Sequence, residues 1–287
     1  MARPRWAKRI RWPAGAALAS LASAAWLAGI DSLLPASEVE PGPYAPAAAV
    51  DGEFVFARLQ YDSIGGKGKS HYDYDGRTWQ RWETDFPEAE QNFLKRLGEL
   101  TSVAHGLRPV SRRLTDTDVF DFPFLYLCDP GYMALSVDEA ARLRQYLRNG
   151  GFLWIDDFWG DGEWTNVEAE MSAVLPGIAW RDVPLDHPIL HAVFDIAELP
   201  MIPGEDYAVR GLDTDPPWAH RMPATGLKPS HLRGWFDADG RLMALATHNS
   251  DTGDGWEREN LGEWYFETYS TQAYMIGTNI VVYAMSH

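Results

Sequence analysis

The chain has 287 residues, 46% of them hydrophobic and 13% aromatic, with one cysteine and a formal charge of −16. That length suits one large or two small domains with a substantial core, and charged residues at 23% indicate a globular chain. The acidic balance excludes a binder that neutralises nucleic-acid phosphates, and a single thiol excludes an internal disulfide and a cysteine-rich zinc site.

The charge is unevenly divided. Arg3, Arg5, Lys8, Arg9 and Arg11 form a basic head over residues 1–11, and no Asp or Glu precedes Asp31. Residues 12–30 are an uncharged apolar run. As a helix, that run would extend about 28 Å, close to the roughly 30 Å hydrocarbon core of a bilayer. A signal-peptide core is usually about 7–15 residues. Ala22-Ser23-Ala24 offers a cleavage site, but the run continues past it through Trp26, Leu27 and Ile30. The expectation is therefore an uncleaved single-pass transmembrane anchor, with a cleavable signal peptide as the alternative. The positive-inside rule keeps the head cytoplasmic and places the rest of the chain, with a charge of −21, outside. Residues 31–51, rich in Pro and Ala, read as an extended tether, and residues 52–287 as one domain.

Within that domain, strand and helix signals alternate. Phe54–Tyr61 is a strand candidate, followed by a polar loop from Ile64 to Arg81. Asp85 reads as the cap of a helix with Phe93, Leu94, Leu97 and Leu100 on one face. Phe122–Leu127 reads as a strand covered on both sides. Ser136 and Glu139 form a capping box for a helix ending at Asn149-Gly150-Gly151. Phe152–Ile155 is another buried strand, and Thr165 and Glu168 suggest a second capping box. Leu242–Thr247 is a late strand, and Ser270 would cap a final helix. Strand–helix–strand order at these spacings predicts an α/β fold with a mainly parallel sheet.

The stretch from Leu135 through Arg148-Asn149-Gly150-Gly151 to Asp156-Asp157, together with Leu185-Asp186-His187-Pro188-Ile189, resembles ThuA-like proteins of the class I glutamine-amidotransferase-like group. Segments Phe54–Tyr61, Asp85–Leu100, Leu114–Leu127, Gly150–Gly160, Asp186–Ile196, Leu242–Asn249 and Ile276–His287 together resemble an uncharacterised bacterial domain-of-unknown-function family of that superfamily. The resemblance implies a flavodoxin-like, doubly wound sheet behind an N-terminal membrane segment, which would put the domain on the periplasmic side of an inner membrane. It supplies no activity. The amidotransferase relatives carry a nucleophilic Cys on a tight turn after a strand, and the corresponding turn here, Ile155 to Gly160, has neither Cys nor Ser.

In open parallel sheets, ligands bind beyond the carboxyl ends of the strands. The candidate crevice residues are therefore Asp156, Asp157, Asp186, His187, His248 and Asn249. The adjacent aspartates point to opposite faces of a strand unless the turn rotates one of them. Asp and His at these positions suit an O/N metal site or acid–base work, and they equally suit turns and caps. No spaced ligand motif accompanies them, so neither a metal nor a cofactor is expected. Trp79, Trp82, Trp159, Trp164, Trp256 and Trp264, placed in loops by this reading, are candidate interface aromatics. Two functions follow. One is a binding or accessory subunit that stabilises an integral membrane protein complex; the other is a periplasmic enzyme or binder for carbohydrate-like ligands.

Overall fold

In the computed structural model, the chain is described over residues 53–205, 208, 209 and 229–287. The predicted basic head, the anchor at 12–30 and the tether at 31–51 lie outside the described residues. Among those described, no helix is long and apolar enough to cross a membrane.

The chain enters through β1 (Ala57–Gln60) and the short β2 (Asp62–Ser63), then forms a hairpin of β3 (His71–Tyr74) and β4 (Arg77–Gln80). The polar-loop reading missed this hairpin. Its local signal is Asp75-Gly76, both with positive φ (48° and 77°), the conformation that a two-residue type I′ turn requires. Helix α1 (Glu88–Leu100) follows, then β5 (Val110–Arg113), β6 (Phe124–Cys128) and β7 (Met133–Ala134). Helix α2 (Val137–Arg148) opens with the predicted capping box: Ser136 Oγ accepts from the Glu139 amide, and the Ser136 amide donates to the Glu139 carboxylate at 2.9 Å.

Strand β8 (Phe152–Asp156) leads into α3 (Gly160–Val174). Here the second capping-box expectation fails. The helix begins at Gly160, five residues before Thr165, and Thr165 Oγ1 instead donates to the Asp161 carbonyl within it. The edge strand β9 (Arg181–Asp182) precedes β10 (His231–Phe236), β11 (Leu242–His248) and the short α4 (Thr252–Glu257). A turn at Glu263–Tyr265 and a π-helical turn at Phe266–Ser270 run directly into α5 (Thr271–Ser286). Ser270 is helical there and caps nothing, contrary to expectation.

The main sheet has seven strands in the order β5-β1-β6-β8-β11-β10-β9. The five from β5 to β11 are parallel, and β10 pairs antiparallel to β11. Numbered along the chain, the parallel core is ordered 2-1-3-4-5, the flavodoxin-like doubly wound arrangement. Period-2 alternation divides each strand between two cores. Phe54, Phe56, Phe124, Tyr126, Cys128, Phe152 and Trp154 face one side, under α1, α4 and α5. Val55, Ala57, Leu59, Leu125, Leu127, Leu153 and Ile155 face the other, under α2 and α3. Trp256 of α4 is fully buried against Phe93, with ring centroids 4.6 Å apart, and against Trp154 at 5.5 Å. This close approach of rings depends on Gly277 of α5, where a Cβ would come within 2.6 Å of Trp256 and 2.8 Å of Phe93.

Candidate site at the carboxyl ends of the parallel strands

The first residue past each of three parallel strands, Asp129, Asp157 and Asn249, adopts a left-handed conformation (φ 52°, 57° and 60°). Asp and Asn tolerate that region better than other side-chain-bearing residues. At Asp157 the turn breaks the strand alternation, so the adjacent aspartates do different work on the same side of the sheet.

Asp156 continues the inward face of β8 and is fully buried. One carboxylate oxygen accepts from the Thr247 hydroxyl and, at 2.8 Å, from the Thr252 hydroxyl. The other accepts from the Tyr126 hydroxyl at 2.7 Å and from the backbone amides of Thr252 (2.9 Å) and Gly253 (3.2 Å). It therefore ties β6, β8, β11 and the start of α4 together. Burial raises its pKa, opposed by the hydrogen bonds from Thr247, Tyr126 and Thr252. Asp157 accepts from the Trp159 indole N–H at 3.1 Å and faces the Cys128 thiol, 3.8 Å away. Burial and then the nearby charges of Asp129, Asp156 and Asp254 push its pKa well up.

A buried cation organises the approach to this centre. Arg58 of β1 projects inward and pairs with Glu90 of α1 at 2.6 Å. Its guanidinium also donates to the carbonyls of Trp82 (3.0 Å) and Thr84 (2.7 Å), fixing the segment that leads into Asp85. Burial disfavours the charge on Arg58, but Glu90 and neighbouring groups outweigh burial and leave its pKa raised. Arg81 pairs with Asp129 at 2.6 Å and donates to the carbonyls of Lys69 and Gly68. These bonds clamp the β3–β4 segment over the carboxyl ends of β1 and β6, where this fold class has its topological switch point. Burial raises Asp129 to about 7, against the opposing pull of Arg81.

Asp85, expected to cap α1, does not. Its backbone carbonyl accepts from the Ala89 amide, while α1 begins without a side-chain cap. The residue is left-handed (φ 64°), and its Oδ2 is buried with no hydrogen-bond partner among the described residues. That oxygen lies against Gly253, where a Cβ would come within 2.6 Å of it. Burial, Asp254, Glu257 and Asp157 push its pKa well above the carboxylate range. Two sets of side chains bring ligand atoms within 4.8 Å of one another here: Asp85, Cys128 and Asp157, and Asp85, Asp254 and Glu257. The Cys128 thiol is pushed well up by burial, opposed by Arg58 and reinforced by Asp157 and Asp85. A protonated, enclosed thiol is a poor nucleophile.

The remaining predicted crevice residues are not gathered around this centre. His248 is buried and stacks on Phe158 at 5.0 Å. Its Nε2 lies 3.0 Å from the Gly160 carbonyl and its Nδ1 3.1 Å from the Arg233 guanidinium. Those partners assign a neutral ring with the proton on Nε2. Burial lowers its pKa to about 4, with Arg233 and His231 adding to the effect and the Gly160 bond opposing it. Asn249 accepts from the Gly160 amide at 2.9 Å and donates to the Pro229 carbonyl at 3.1 Å, pinning two loops. Asp186 is exposed. His187 caps the short helix Pro188–Leu190, accepting from the Ile189 amide at 3.2 Å, and packs on Phe236 and Tyr283. Phe236 pairs with Leu242 at the amino end of β11, so Asp186 and His187 stand at the opposite end of the sheet from Asp156 and His248. The expected joint crevice of Asp186, His187 and His248 is therefore not formed.

Of the six aromatics proposed for an interface, Trp164 and Trp256 are core residues. Trp79, Trp82, Trp159 and Trp264 are half-buried. Trp79 lies on the β3–β4 hairpin under the Arg77 guanidinium, 3.3 Å from its ring centroid. Sequence reasoning missed Arg58, Asp254 and Glu257, and read Asp85 only as a helix cap. Their relation to the site depends on α1 and α4 packing together across the end of the sheet, which no local spacing encodes. An open cavity of about 360 Å3, lined by Arg96, Glu259 and Phe266 among others, includes none of the predicted residues.

Fold and site together define a flavodoxin-like α/β domain whose switch-point end is closed by its own hairpin over a buried acidic centre. The chain matches Domain of unknown function (DUF4159) over residues 55–285 and belongs to that family. No curated protein matches it.

Proposed function

We propose that this is a binding domain without acyl-transfer chemistry, held at a membrane by its N-terminal segment and serving as an accessory subunit of an integral membrane protein complex. The observation that carries this reading is the state of Asp156 and its neighbours. At the end of the sheet where doubly wound folds place ligands, Asp156, His248 and Asn249 are occupied by hydrogen bonds within the fold. The turn that would bear the amidotransferase-like nucleophile carries Asp156 and Asp157 instead. A placement in the wider ThuA-like superfamily fits the strand order and the Asp186-His187-Pro188 segment, and here it marks a scaffold used without that superfamily's nucleophile.

The basic head and apolar run of residues 1–30 support the membrane location. The hairpin supplies a contact surface: Tyr74 is 54% exposed, and its carbonyl accepts from the indole of the half-buried Trp79. The carbohydrate reading relies on a crevice shared by residues that stand at opposite ends of the sheet, so no observation favours it.

Cross-linking in native membranes through Lys67 and Lys69, which precede the hairpin, tests the proposal. Reproducible cross-links from these lysines to one integral membrane protein are expected. Cross-links confined to the chain itself would reject the proposal.

A further inference from the structure

We propose that Asp85, Cys128 and Asp157 bind a thiophilic divalent metal ion of the Zn2+ class, buried between the carboxyl ends of β6 and β8 and the start of α1. The inference is independent of the accessory-subunit reading.

Two observations lead to it. The first is the convergence of one thiol and two carboxylates, each from a different segment, with donor atoms within 4.8 Å of one another. In a tetrahedral Zn2+ site with metal–ligand bonds of roughly 2.0–2.3 Å, neighbouring ligand atoms are about 3.3–3.8 Å apart. Cys128 Sγ and Asp157 Oδ2 are 3.8 Å apart, so they need little movement. The second observation is the orphaned Asp85 Oδ2, a buried acceptor with no hydrogen-bond partner among the described residues. Leaving such a group unsatisfied costs about 1–3 kcal/mol, and more when it is charged. The nearest buried cation, Arg58, is already paired with Glu90.

The ligand set selects the ion. A thiolate with two carboxylates favours a borderline ion such as Zn2+ over Mg2+ or Ca2+, which prefer oxygen alone. The second acidic set, Asp85 with Asp254 and Glu257, is a poorer host. Arg258 stands 3.6 Å from the Asp254 carboxylate and 2.9 Å from that of Glu257, and Asp254 also accepts from the Glu205 amide at 2.5 Å. A cation entering there meets a resident positive charge.

The binding step is a metal-for-proton exchange. Protons held by the Cys128 thiol and by Asp85 and Asp157 leave to solvent as three metal–ligand bonds form, with no change of oxidation state. Arg58 orients the incoming segment through the Trp82 and Thr84 carbonyls, and Trp159 holds the far oxygen of Asp157. Because the site is closed, the ion enters as the chain folds or when the hairpin opens.

The test uses the untagged full-length protein in detergent, refolded with one equivalent of Co2+ as a spectroscopic stand-in for Zn2+. The wild type should bind one ion per chain and show a near-ultraviolet sulfur-to-cobalt charge-transfer band that added Zn2+ abolishes. Cys128→Ser should lose that band, and Asp85→Asn should weaken binding about tenfold or more while circular dichroism remains native. The proposal is overturned if the wild type fails to bind either ion stoichiometrically. It is overturned equally if binding occurs without the band, or if it is unchanged in both variants, since the ion then sits elsewhere.

Discussion

Asp156 accepts five hydrogen bonds from three elements. Ala in its place would leave the Thr252 and Gly253 amides and three buried hydroxyls without their acceptor. Asp156→Ala should destabilise the domain by about 2–4 kcal/mol, because buried donors lose their acceptor. Urea denaturation measures this, and an unchanged midpoint would mean that the network does not hold the sheet to α4. His248 yields a pH prediction. Its folded pKa of about 4 lies below the ordinary value near 6.5. Its contribution to stability is therefore fully present above about pH 6.5 and is lost as pH falls toward 4. The imidazole resonance should titrate near pH 4; a midpoint between 6 and 7 would contradict the burial of this ring. Asp85 shows why residue roles were only partly readable. In the sequence it stands where a helix cap belongs, and only the fold shows the left-handed backbone that turns its carboxylate toward Cys128 and Asp157.

Elements built from continuous apolar runs were legible. Phe122–Leu127 and Phe152–Ile155 read as strands covered on both faces, and the strands formed, Phe124–Cys128 and Phe152–Asp156, are buried along their whole length with Asp156 as the charged terminal residue. The short edge strand β5 and the antiparallel β10 were not. Val110-Ser-Arg-Arg has only four residues, and Gly234 interrupts His231–Phe236 because Leu242 and Phe236 occupy the space of its Cβ. The hairpin was hidden by its polar composition. A two-stranded hairpin alone is marginally stable in water, and this one is held at its base by Arg81. Arg81→Gln should speed hydrogen exchange over residues 65–80 while leaving β6 and β8 protected; unchanged exchange there would show that the clamp lies elsewhere. At the contact of α4 with α5, two effects compete in Gly277→Ala. Helix propensity favours Ala by about 1 kcal/mol, whereas overpacking against the buried rings of Trp256 and Phe93 costs about 1–3 kcal/mol. The rings are enclosed, so overpacking should win, and thermal unfolding should occur at a lower temperature than in the wild type.

At the scale of the whole molecule, composition and charge separated a basic, apolar N-terminal segment from an acidic domain, and the alternation of strands and helices was sufficient for the α/β class. Composition and spacing could not show which end of the sheet each candidate occupies. Asp186 and Asp156 look equivalent in a list of candidate carboxylates, yet His187 packs on Phe236, which pairs with Leu242 at the amino end of β11, the far end of the sheet. The closed hairpin over the switch point, the occupied Asp156 and the missing elbow nucleophile are the observations behind the proposal that this domain acts by association. Its central claim is tested most directly by the native mass of the full-length chain extracted from its own membranes in mild detergent. The account predicts a particle well above the 32.3 kDa chain with its detergent, containing an integral membrane protein at fixed stoichiometry. Recovery as a free monomer, with no partner at any detergent concentration that preserves the fold, would contradict it.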